Sequence, residues 1–212
     1  NMKAHTLETQ TTITPEKALD FLKEGNQRFV NNLKANRDLL AQVNATRAGQ
    51  WPFAVVLSCI DSRTSAELIF DQGLGDVFSI RIAGNFVNQD ILGSMEFGCN
   101  VAGSKLVVVL GHSKCGALKG GLDSAQIEDL GMDNLNHLIG HFNPIINEII
   151  EDGEERSSSN TDLLERLNHH NVKNAIDEIR KQSSTLRNLE NEGKIKIIGA
   201  NYDVETGVVS WL

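Results

Sequence analysis

Cys59, His112 and Cys115 are the residues of this 212-residue chain best suited to holding a metal ion. Two thiolates and one imidazole form a usual ligand set for catalytic zinc, which keeps one of its four tetrahedral positions open. Cys59 begins the cluster Cys59-Ile60-Asp61-Ser62-Arg63, and His112 begins His112-Ser113-Lys114-Cys115. A structural zinc would need a fourth protein ligand. The third cysteine, Cys99, recurs at helical spacing with Ile91, Leu92, Met95 and Ala102, so it reads as a buried, inert thiol. Asp61 and Arg63 follow Cys59 on a tight loop beside the metal. The carboxylate can accept a hydrogen bond from bound water or turn inward as a fourth ligand, and Arg63 decides between the two by holding it off.

The elements that must position these residues alternate along the chain. Apolar runs at 53–58, 77–82, 105–110 and 194–198 read as strands. Helical patterns at 64–70, 90–102, 116–122, 134–150 and 161–190 lie between and after them, with Pro144 expected to kink the fourth. Such alternation predicts an α/β fold, a single domain with four parallel strands flanked by helices. Val208-Val209-Ser210-Trp211 adds an edge strand hairpinned through Glu205-Thr206-Gly207. The ligands then fall just past strand carboxyl ends, where open parallel sheets place their sites. Residues 151–160 (EDGEERSSSN) read as a mobile loop.

Thr14-Pro15-Glu16 starts an earlier helix with a hydroxyl cap, a first-turn proline and an acid at the positive dipole end. Its loose apolar stripe, Ala18, Leu22, Phe29 and Leu33, has no evident place on a compact sheet. Residues 1–49 are therefore expected to form a helical arm of the same domain that wraps a partner subunit, and 50–212 the zinc-binding core.

A chain with 40% hydrophobic residues at this length buries roughly 70% of its unfolded surface without help from metal or disulfides. A formal charge of −8 argues against nucleic acid, which needs a basic footprint. No stretch is long and apolar enough to span a bilayer, so no membrane partner is expected. Three cysteines, two assigned to metal, favour a reducing compartment. The reading is soluble and cytoplasmic, with a removed leader upstream of Asn1 left open.

The motifs Cys59-x-Asp61-Ser62-Arg63 and Gly111-His112-Ser113-x-Cys115-Gly116 resemble those of the β-class carbonic anhydrases. Arg81-Ile82-Ala83-Gly84-Asn85, Asn171-Val172 and Gly199-Ala200-x-Tyr202-Asp203 match in the family's order, so the resemblance runs from Gln50 onward. It implies Zn2+ on Cys59, His112 and Cys115, and reversible hydration of carbon dioxide to bicarbonate and a proton by zinc-bound hydroxide. It also implies a homodimer as the smallest active unit, possible assembly of dimers into larger oligomers, and a pocket lined by both subunits. By position, Gln50 resembles the pocket glutamine, while Phe78 and Ala83 resemble the apolar wall that receives the gas, and Gly116 closes the second motif. Phe97 stands where many members carry a tyrosine, so one pocket hydrogen bond is missing; lying off the Cys99 stripe, it faces the pocket or the partner, with core packing as the alternative.

A subgroup with a second, inhibitory bicarbonate site carries a marker tryptophan where this chain has Val56. The resemblance therefore implies an open resting state, with Asp61 held by Arg63. Arg81 and Tyr202 occur in both subgroups. Zinc-bound water titrates at about pH 7 in the carbonic anhydrase whose zinc has three histidine ligands. Two thiolates donate more charge, so a higher value and alkaline-side activity are expected here.

Three other readings compete. Carbonyl sulfide or carbon disulfide hydrolysis would use the same nucleophile. A cysteine phosphatase loop needs a longer cradle of backbone amides than Ile60-Asp61-Ser62 supplies. A non-catalytic zinc or bicarbonate module does not need Gln50, Asp61 and Arg63 intact. His137 and His141 have ligand-like spacing but lie off the apolar face of their helix, without the glutamate of a zinc protease motif. They read as solvated, and His169 and His170 as surface or interface residues.

Overall fold

The computed structural model describes residues 2–212. Its elements in chain order are α1 (Leu7–Thr12), α2 (Pro15–Val30), α3 (Leu39–Thr46), β1 (Ala54–Ser58), α4 (Ala66–Ile69), β2 (Val77–Arg81) and α5 (Gln89–Glu96). A π-helical turn, Phe97–Val101, then leads to β3 (Leu106–His112), α6 (Gly116–Leu122), α7 (Ser124–Glu128), α8 (Asp133–Gly140) and α9 (Asn143–Ile149). The chain ends with α10 (Thr161–Gln182), α11 (Ser184–Asn191), β4 (Lys196–Tyr202) and β5 (Val209–Trp211).

The strands form one sheet in the order β2-β1-β3-β4-β5, with parallel pairing except for the antiparallel β4–β5 hairpin. This is the expected architecture of four parallel strands and a carboxyl-terminal edge. Helices cover both faces, so every residue of β1 and β3 is buried. Alternation sorts them: Ala54, Val56, Leu106 and Val108 join one apolar cluster, while Val55, Leu57, Val107 and Val109 join the other. A third cluster sits at the strand carboxyl ends and contains Cys59 and Cys115 with Phe86, Leu118 and Phe142.

Several boundaries differ from the sequence reading, each for a local reason. The helix expected over 134–150 is two helices, because Pro144 lies in the first turn of α9, where its missing N–H is not needed. The helix expected over 161–190 breaks at Ser183, whose Oγ accepts the Leu186 N–H at 3.1 Å and caps α11. The π-turn interrupts the helix expected over 90–102, although Cys99 is buried as expected. His112 is the last residue of β3 rather than the first beyond it.

The stretch 151–160, expected to be mobile, is tied down. Arg156 donates to the Gly121 carbonyl at 2.9 Å and to Asn143 Oδ1 at 2.6 Å. Ser158 N–H donates to Asp123 Oδ1 at 2.9 Å, and Glu154 pairs with Arg166.

The amino-terminal helices also find a place the sequence reading denied them. Thr14 caps α2 as expected, and Ala18, Leu19 and Leu22 pack on the chain's own sheet. Gln10 Nε2 donates to the Pro52 and Ala102 carbonyls, anchoring α1 to the core. Phe29 and Leu33, from the same expected stripe, are exposed.

At Gly25, α2 lies against the end of α4: a Cβ there would lie 1.8 Å from the Phe70 carbonyl oxygen. An interior helical glycine normally gains stability on mutation to alanine. Here Gly25→Ala must push α2 away from the end of α4, so we expect a loss of about 1–3 kcal/mol in a denaturant titration. Unchanged or increased stability would contradict this packing.

Candidate metal centre

The β1–β3 register, with Ser58 opposite Leu110, carries Cys59 alongside the end of β3. The ligand atoms of Cys59, His112 and Cys115 all lie within 4.8 Å of one another, and the three side chains are buried. The two Sγ atoms are 4.0 Å apart. Two thiolates on tetrahedral zinc, with bonds of about 2.3 Å, would sit about 3.8 Å apart, so the spacing fits the ion.

The imidazole is set for ligation. Its Nδ1 lies 2.7 Å from the Ser113 carbonyl, and Nε2 is buried with no hydrogen-bond partner. A proton on Nδ1 donated to that carbonyl leaves the Nε2 lone pair for a metal. The carbonyl is itself fixed, because Ser113 N–H donates to the Tyr202 carbonyl at 3.0 Å and its Oγ accepts the Val204 N–H at 3.0 Å.

A hydrogen bond joins the two sulfurs. The bond from Cys115 pulls the Cys59 thiol well down against the opposing cost of burial, assisted by His112 and the Gly84 N–H. That same bond, together with burial, pushes Cys115 up. Cys115 directly precedes α6, and the backbone N–H groups of Leu118 and Ala117 favour its thiolate.

Asp61 and Arg63 form the expected pair. Asp61 Oδ1 accepts the Arg63 backbone N–H at 2.8 Å and Nε at 3.0 Å, and Oδ2 accepts an Nη at 2.7 Å. This pairing holds the Asp61 carboxyl down at about 2. Any stability the pair gives the loop is therefore present above the normal carboxylate range and lost as pH falls through about 2. Oδ2 is 3.9 Å from His112 Nε2, at the edge of the ligand trio.

Arg81 was not given a positioning part by the sequence reading. Its Nε donates to the Cys59 carbonyl at 2.9 Å and an Nη donates to the Asp61 carbonyl at 2.6 Å, holding the loop's main chain. The signal available was its place at the end of β2, one strand over from Cys59.

The expected pocket residues separate into two groups. Ala83 follows β2 at the metal end, and Gly116 opens α6 beside Cys115, with open space where its Cβ would point. Phe78 pairs in register with Val55, well back from Cys59 along β1. Gln50 precedes β1 and is exposed at the opposite end of the strand. Phe97 is 50% exposed and meets Phe78 edge-on at 6.1 Å, beside a groove of about 620 Å³ along the free edge of β2. Gln50, Phe78 and Phe97 are thus not gathered around this chain's own ligand trio. His137 and His141 are exposed, as expected, and the ring of His141 stacks on Phe86.

Fold and site together define an α/β scaffold with a buried Cys-His-Cys group placed to bind a metal ion. A sequence profile described as carbonic anhydrase matches residues 54–209. Carbonic anhydrase 2 of Mycobacterium tuberculosis is 32% identical over 194 residues, covering 91% of this chain and 90% of that protein. A carbonic anhydrase of Mycolicibacterium smegmatis is 32% identical over 197 residues, covering 92% of each. The solved β-carbonic anhydrase CcaA superposes with a TM-score of 0.68 at 26% identity, covering 91% of this chain and 94% of that one. The chain belongs to the carbonic anhydrase family, in its β class.

Because three apolar clusters hold the fold, zinc should be dispensable for folding. Chelation is expected to leave the far-ultraviolet circular dichroism intact while lowering the melting temperature. Loss of the helical signal on chelation would contradict that division of labour.

Proposed function

We infer that this chain catalyses the reversible hydration of carbon dioxide to bicarbonate and a proton. The observation that carries the reading is the buried Cys59–His112–Cys115 trio with an ionised, Arg63-held Asp61 at its edge. Zinc, when bound, lowers the pKa of a coordinated water and so supplies a nucleophile at accessible pH.

The chain's residues orient that chemistry. Asp61 spends lone pairs on Arg63 and keeps Oδ2 toward the ligands, where it would accept a hydrogen bond from a water held by zinc and so orient it. Since its carboxyl is held down at about 2, Asp61 is an acceptor at every working pH and not a proton donor. Arg63 keeps Asp61 off the metal position, and Arg81 keeps the loop from rotating. With Val56 in place of the marker tryptophan, the resting state is the open one.

The pocket is completed by a second copy of the chain in a homodimer. Supporting this, Gln50, Phe78 and Phe97 lie away from their own trio, and β2 is an uncovered edge bordered by exposed Phe97 and Val101. A free edge with apolar surroundings calls for a partner. Three free thiols suit a reducing, cytoplasmic setting.

Stopped-flow hydration of carbon dioxide tests the catalytic reading. Asp61→Asn at full zinc occupancy should lose about 10–100-fold in kcat/KM, since it is charge and orientation that are removed. Equal rates would take Asp61 out of the mechanism. Sedimentation equilibrium should give a mass of at least two chains, and a fully active monomer would refute the shared pocket.

A further inference from the structure

We propose that Asn171, on α10, is a positioning residue for the metal centre: it secures the backbone that aims the Gly84 N–H at the Cys59 thiolate. This rests on the zinc reading above. The Gly84 N–H donates to Cys59 Sγ at 3.3 Å. That aim depends on two successive residues in the left-handed region, Gly84 at φ +80° and Asn85 at φ +39°. Such backbone is costly for a non-glycine residue and persists only where its surroundings enforce it.

The enforcement comes from both sides of the peptide joining Gly84 to Asn85. The Asn85 N–H donates to the Ile82 carbonyl at 3.0 Å. The Gly84 carbonyl accepts Asn171 Nδ2 at 2.7 Å, from a side chain 87 positions away. Asn171 is only 1% exposed, so water has no ready route to replace it. Phe142 closes the remaining side, since a Cβ on Gly84 would come within 2.2 Å of its ring. Asn171 therefore acts on the peptide that follows Gly84, while the N–H that meets the thiolate lies on the peptide that precedes it, and the two are coupled across the Gly84 Cα.

The chemical consequence follows from the donor set. Two thiolates press more charge onto zinc than imidazoles would, and an N–H donated to one of them draws some of that charge back. It also fixes the direction of the sulfur. Releasing the Gly84 carbonyl lets Gly84 and Asn85 relax from their left-handed dihedrals, which turns the Gly84 N–H away from the sulfur and leaves Cys59 a stronger and looser donor.

The test replaces zinc with cobalt(II) and reads the thiolate-to-cobalt charge-transfer band, alongside zinc affinity by competition with a chromophoric chelator. Asn171→Leu and Asn171→Ala are expected to shift the band to lower energy and weaken zinc binding by about 10–100-fold. Ile179→Ala, at a fully buried position on the same helix away from Gly84, serves as the stability control. It should lower the melting temperature and leave band and affinity unchanged.

A folded Asn171 variant with wild-type band and affinity would overturn the proposal, as would equal shifts in Ile179→Ala. Wild-type protein loaded with NMR-active cadmium gives a reading that needs no variant. Coupling between the Gly84 amide proton and the metal through Cys59 is expected, and its absence would also overturn the proposal. Failure of wild-type protein to bind zinc or hydrate carbon dioxide would instead reject the underlying function.

Discussion

The parallel pairing of β1 with β3 is the constraint on which the rest depends. Ala54 faces Leu106 and Ser58 faces Leu110, so the chain leaves β1 at Cys59 beside the residues that end β3 with His112. Both strands are buried on both faces, and their alternating residues feed two different apolar clusters. A slip of one residue would exchange the faces of every side chain and move one ligand away from the others. The core therefore sets the metal geometry, and the metal need not set the core.

Around that junction the chain has invested in holding small pieces of backbone. Arg81 grips the carbonyls of Cys59 and Asp61, Ser113 is fixed by Tyr202 and Val204, and Asn171 holds Gly84. Each of these groups comes from a different element: the end of β2, the end of β4 and the middle of α10. Ligand directions are thus set by the packing of layers rather than by the loops that carry the ligands.

Much of this was legible in the sequence because the signals were local. Unbroken apolar runs marked the strands, two short motifs marked the ligands, and the spacing of Cys99 removed it from the ligand count. What was not legible depended on contacts distant in sequence. Ser183 became a cap because Leu186 follows it and Glu96 meets its hydroxyl, which periodicity over 161–190 does not record. The polar stretch 151–160 reads as a free loop until Asp123, Asn143 and Arg166 are brought beside it. The seat of α2 on this chain's own core depends on Gly25 meeting the Phe70 backbone at the end of α4. Gln50 and Phe78 are the reverse case, since their placement leaves them apart from this chain's own trio.

The central claim is that the Arg63–Asp61 pair keeps one zinc position free while the core holds the three ligands in place. The most direct measurement is a crystal structure of the zinc-loaded protein near neutral pH. The account predicts zinc on Cys59, His112 and Cys115, with Asp61 hydrogen-bonded to Arg63 and off the metal. Zinc bound by an Asp61 oxygen, with Arg63 released, would contradict it.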